Sequence, residues 1–155
     1  MEATVLDATI TDSHTARLQI MVTNTGEKRA LSIWPAGNCA VFNRYSQTSQ
    51  PQGVWLGLAD DPAYIAESGP RWIADPPDNG AFGDYGCQLR SYASGEAIHT
   101  EYRIFDDTRA GGYLKAGTYR FETDVLVTPS VTAERDAETA RTFPWGFSLS
   151  VDNPN

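Results

Sequence analysis

Apolar residues recur at every second position along much of this chain, and that period of two predicts strands rather than helices. Residues 16–24 are clear, with Leu18, Ile20 and Val22 on one face. Residues 145–151 repeat the pattern with Trp145, Phe147, Leu149 and Val151. Residues 3–11 alternate more weakly, and Val5, Leu6 and Ile10 are expected inward. Further strands are expected at 30–34, 39–43, 54–58, 87–93, 97–105 and 118–128. Pro35 stops the run at 30–34, because proline cannot donate to a ladder. Asn24-Thr25-Gly26-Glu27 carries turn chemistry, and 106–112, opening on Asp106-Asp107, reads as another turn.

Two stretches break this rhythm. Residues 60–86 hold Pro62, Pro70, Pro76 and Pro77, four glycines, and the aromatics Tyr64, Trp72, Phe82 and Tyr85. A loop of that length inside a domain is usually functional or disordered, and its aromatic content argues for order. A stiff loop with large rings suits a contact surface, so these four residues are the candidate binding groups. Residues 131–142 are charged and alanine-rich and read as a short helical or mobile segment.

The corners are more specific. In Leu114-Lys115-Ala116-Gly117-Thr118-Tyr119-Arg120-Phe121 a turn leads into an alternating strand opened by tyrosine. That is the phrase of a sandwich corner, with Tyr119 against the core and its hydroxyl bonded to backbone. Ser94-Gly95-Glu96 before residues 97–105 has the same shape. At 155 residues the chain is expected to form one domain, 1–155. The fold class is all-β, a single Greek-key β-sandwich of about seven to nine strands.

Three phrases carry a resemblance: the strand ending in Asn24-Thr25-Gly26, the Ser94-Gly95-Glu96 turn, and Ala116-Gly117-Thr118-Tyr119. They resemble domains of the BsuPI-like intracellular proteinase inhibitor family and related immunoglobulin-like sandwiches. Family members usually carry proline before the glycine of the two later turns, where this chain has Ser94 and Ala116. The resemblance implies an immunoglobulin-like fold. It offers proteinase inhibition through an exposed loop as an alternative function, and carries over no inhibitory residue.

Charge narrows the partners. Twenty acids against twelve bases give a formal net charge of −8, and Lys28 and Lys115 are the only lysines. Such a surface repels nucleic acid and anionic membranes, which both need a basic footprint. No run of apolar residues is long enough to span a membrane. Scarce lysine beside abundant carboxylate resembles proteins of halophilic archaea, whose self-repulsion is screened within about 3 Å at 1 M salt. Met1-Glu2-Ala3 leads directly into a strand pattern. The expectation is a cytosolic chain, or one whose leader or lipid anchor lay upstream of residue 2.

Cys39 and Cys87 are the only cysteines and form no CxxC pattern. Each flanks an apolar strand-like stretch, and a disulfide between them is expected. It would close a loop of about 49 residues, worth roughly 4 kcal/mol on the chain-entropy model. That favours an extracellular or cell-surface location; free thiols would favour the cytoplasm.

Catalytic groups are few. His14 and His99 are the only histidines, and each reads as an ordinary surface residue. A hydrolytic triad needs serine or cysteine beside a positioned histidine, and no Gly-x-Ser-x-Gly elbow exists. Zinc ligands are too sparse. Asp75, Asp78 and Asp84 gather oxygen ligands around a turn, a weak calcium candidate that misses the EF-hand spacing. No cofactor is expected. The expectation is a monomeric, non-catalytic binding or structural module whose partner is a protein or glycan. Proteinase inhibition and carbohydrate binding are the alternatives, Trp72 being the loop aromatic suited to a sugar face.

Overall fold

The computed structural model describes residues 1–34, 42, 53–58, 64–65, 72–74, 90–107, 110–130 and 138–152. Cys39, Cys87, Asp75, Asp78, Asp84, Phe82 and Tyr85 lie outside the described residues, and so do the strand expected at 39–43, apart from Phe42, and 131–137.

Alternation builds two sheets. The first holds β1 (Glu2–Asp7), β2 (Arg17–Thr23), β4 (Val54–Leu58), β5 (Tyr64–Ile65), β6 (Trp72–Ala74) and β8 (Ala97–Asp107). Its order is β1-β2-β8-β6-β5, with β4 also paired to β8. The second holds β3 (Arg29–Trp34), β7 (Arg90–Tyr92), β9 (Gly117–Thr128) and β10 (Arg141–Val151), in the order β10-β9-β3-β7. All pairings are antiparallel except that of β6 with β8. Among the described residues there is no α-helix.

The period-two pattern fixes which faces meet. Leu18, Ile20 and Val22 of β2 are buried, as are Tyr102 and Ile104 of β8 and Val54 and Leu56 of β4. They form one core cluster with Tyr119 and Phe121 of β9, against which Trp145, Phe147, Leu149 and Val151 of β10 pack. The two sheets therefore lie face to face as a β-sandwich. Each such side chain, once fully buried, stabilises the fold by about 1.5–3 kcal/mol. Phe42 joins from between the strands: it packs edge-on against Phe147 at 5.3 Å, and its N–H donates to the buried Tyr102 hydroxyl at 2.8 Å.

Two of the sequence phrases meet in space. Asn24, at the end of β2, is buried, and its Nδ2 donates to the carbonyls of Glu27, Tyr92 and Ala93. Its Oδ1 accepts from Gly26 N–H, and its own N–H donates to Glu96 O at 2.9 Å. One amide thus ties the 24–27 turn to the 93–96 turn.

Tyr119 forms the corner. The residue is fully buried, and its hydroxyl donates to the Lys115 carbonyl at 2.5 Å. Lys115 is exposed, so its carbonyl can recover water when that bond is lost. Tyr119→Phe is therefore expected to cost about 1 kcal/mol, the low end for a broken buried bond, read as a shifted urea midpoint. Burial, then the nearby Asp106 carboxylate, holds the phenol above its ordinary value of 10.0. The folded state favours the neutral form. Its contribution is complete below pH 10 and lost as pH rises through the folded-state value. Part of the alkaline loss of stability should disappear in Tyr119→Phe.

Several expectations are corrected. Asp106 and Asp107 are strand, not turn, because β8 continues to reach β4 and β6. Both are buried, and Asp106 Oδ1 accepts the Leu114 N–H at 2.8 Å. That bond helps hold Leu114 at φ 34°, the left-handed region. The 60–86 stretch is not loop throughout, since β5 and β6 lie in it. The 131–142 segment gives way to strand at Arg141, where β10 begins opposite Val127.

Candidate functional site

β1 and β10 end their respective sheets. Val5 of β1 pairs directly with Leu18 of β2. Directly paired residues point to the same face of a sheet, so Val5 points inward as expected. Leu18 is 3% exposed, however, and Val5 is 57% exposed. Among the described residues nothing covers the inner face of β1 at that level. Leu6 and Ile10, also expected inward, are exposed. The register shifts between Val5 and Asp7, so the alternation does not run through.

The uncovered face opens into a groove of about 540 Å³. Val5, Ile10, Leu18, Leu149, Val151 and Tyr113 are among its walls. The size falls within the range of about 300–1,000 Å³ usual for ligand sites. Polar groups stand at the lip. Asp7 accepts from Thr9 N–H at 2.9 Å and from the Thr9 hydroxyl at 2.7 Å. Those bonds, followed by weaker attraction from His14 and Arg17, hold its carboxyl below 3.8. His14 Nδ1 lies 3.4 Å from the other Asp7 oxygen. Arg17, also lining the groove, pairs with Glu101 at 3.0 Å. Asp152 is exposed beyond the end of β10 and lines the same space.

The residues singled out from sequence fall elsewhere. Trp72 is not a loop ring offered to solvent. It opens β6 and is 7% exposed, packed with Trp55 and Phe105 in a second small core. Its indole N–H donates to Thr11 O at 2.8 Å, and its backbone N–H to the Tyr113 hydroxyl at 3.2 Å. An indole whose only polar atom is already satisfied acts as a strut between the 72–74 strand and the segment after β1. Tyr64 lies in β5, paired with Ile73. His99 is exposed, with Nδ1 3.3 Å from Gln19 Oε1. Among the described residues no three His, Cys, Asp or Glu side chains are placed to hold a metal ion. Among them, too, no helix is long and apolar enough to cross a membrane.

The groove's own residues, Asp7, Leu149, Val151 and Asp152, are not legible as a site from the sequence. The signal available was weak: an apolar edge strand, Val5-Leu6, beside acids. Comparison with family models, curated proteins and solved structures found no match to this chain.

Proposed function

We propose that this chain is a non-catalytic binding module, secreted or attached to a cell surface, that takes an apolar group of its ligand into the groove between β1 and β10. The observation that carries this reading is Val5. An aliphatic side chain on the inner face of a sandwich, beside the buried Leu18, stands 57% exposed over a groove. Exposed apolar surface rimmed by polar residues marks interaction sites more often than chance. A glycan platform draws no support from Trp72, whose ring is buried. Support for an immunoglobulin-like lineage, as the BsuPI-like resemblance implies, comes from the Tyr119 corner and from strand grouping. Within the six-stranded and four-stranded sheets, β1-β2-β8 with β4 and β10-β9-β3 parallel the four-plus-three division of that fold, with β5, β6 and β7 added to it.

Nile red, a neutral dye that brightens in apolar sites, tests the reading. Wild-type protein is expected to bind it, and Val5→Lys to weaken binding about tenfold, since an ammonium at that wall resists desolvation. Val5 is exposed, so the variant should fold. A dye signal absent from wild-type protein, or unchanged in Val5→Lys, would contradict the reading.

The proposed salt-adapted setting rests on the net charge of −8 with only two lysines. The melting temperature is expected to rise from dilute buffer into molar KCl, as self-repulsion is screened. A flat profile would remove that part of the proposal.

A further inference from the structure

The two halves of the β10 edge differ. Pro144 lies in the first half, where a missing N–H discourages pairing with another strand. From Phe147 to Val151 there is neither proline nor charge, and Leu149, Ser150 and Val151 of this half line the groove. Among the described residues β10 pairs only with β9. A strand laid along that unguarded half would lie across from β1. Its inward side chains would then cover Val5 as Leu18 and Ile20 are already covered.

The lip selects the occupant's charge. Asp7 and Asp152 both line the groove, and Asp7 is held ionised by its bonds to Thr9. Arg17 has its guanidinium engaged by Glu101. The chain as a whole carries −8. Complementary charge at a rim governs encounter and partner choice. A second copy of this chain is a poor occupant, since it would bring another −8 and the same acids to the site.

Resting on the binding-module reading, we propose that the groove receives an extended peptide segment. It pairs with the Phe147–Val151 edge of β10, turns apolar side chains toward Val5 and Leu149 at alternate positions, and sets lysine or arginine against Asp7 and Asp152. Main-chain bonds to the edge supply affinity and the alternate side chains supply selectivity, as in other strand additions.

The probe is an acetylated, amidated peptide Lys-Val-Thr-Val-Thr-Val-Lys, with a counterpart carrying Glu at both ends, titrated calorimetrically into the full chain. The lysine peptide is expected to bind about tenfold more tightly than the glutamate peptide, with the gap closing in molar KCl. Asp152→Asn should weaken the lysine peptide about threefold and leave the glutamate peptide no weaker. Val5→Lys should remove binding of both. Equal affinities for the two peptides would overturn the charge assignment and with it this proposal. Nile red binding that Val5→Lys weakens, without any peptide binding, would leave the module reading standing and overturn the peptide. Loss of both signals would overturn both. A dimer in sedimentation that Val5→Lys dissociates would put a second copy in the groove, again overturning the peptide.

Discussion

Phe121→Ala will cost about 3–5 kcal/mol, the usual range for an aromatic removed from a closed core. Phe121 is fully buried on β9, stacked on Phe147 at 5.2 Å and meeting Phe42 edge-on at 6.4 Å. It joins β9 to β10 and to the chain between β3 and β4, so no single neighbour can move in to fill the space. Against a total stability of about 5–15 kcal/mol, such a loss leaves a protein near its unfolding threshold. Urea denaturation measures it. A loss under about 1 kcal/mol would mean that the centre of the sandwich is not where the two sheets meet.

Gly146→Ala is expected to approach the same size by the opposite route. A Cβ at residue 146 would run into the Phe121 carbonyl oxygen and lie 2.8 Å from Glu122 Cγ. The first obstacle is backbone, which cannot swing aside like a side-chain end. Either the β9–β10 pairing opens locally or the strands shift, at a cost of about 3 kcal/mol, the upper end for overpacking. The loss should be concentrated in β10, seen as faster amide exchange at Phe147–Val151 than in the wild type. Exchange unchanged along β10 would place residue 146 away from Phe121.

Much of this fold was legible because alternation reports the face on which a side chain lies. Leu18, Ile20 and Val22 fall inward, as the period of two requires, and so do Phe147, Leu149 and Val151. Tyr119 was legible because a tyrosine opening a strand after a glycine turn has one satisfying place for its hydroxyl. The turns at 24–27 and 93–96 were each legible, but not that Asn24 joins them, since nothing local to either phrase specifies the other. Alternation is silent on whether anything lies opposite. Val5 faces inward and is still exposed, because among the described residues an open groove, not a packed side chain, lies over it, a relation between two sheets. Trp72 was misplaced for a related reason. Prolines around it suggested a loop, yet three residues suffice for strand β6, and the Thr11 carbonyl that receives its indole is 61 positions away. Asp106 and Asp107 look like turn residues in sequence, because carboxylates rarely end a buried strand. The Leu114 N–H, which donates to Asp106 Oδ1, helps make the carboxylate acceptable there.

The groove between β1 and β10 is tested most directly by methyl NMR while a small neutral hydrocarbon, cyclohexane, is titrated into the protein. Shifts should concentrate on the methyls of Val5, Ile10, Leu18, Leu149 and Val151 and saturate together, with the distant Val125 and Val22 unmoved. Shifts absent from Val5 and Val151, or spread evenly over the exposed aliphatics, would contradict a binding groove at this edge of the sandwich.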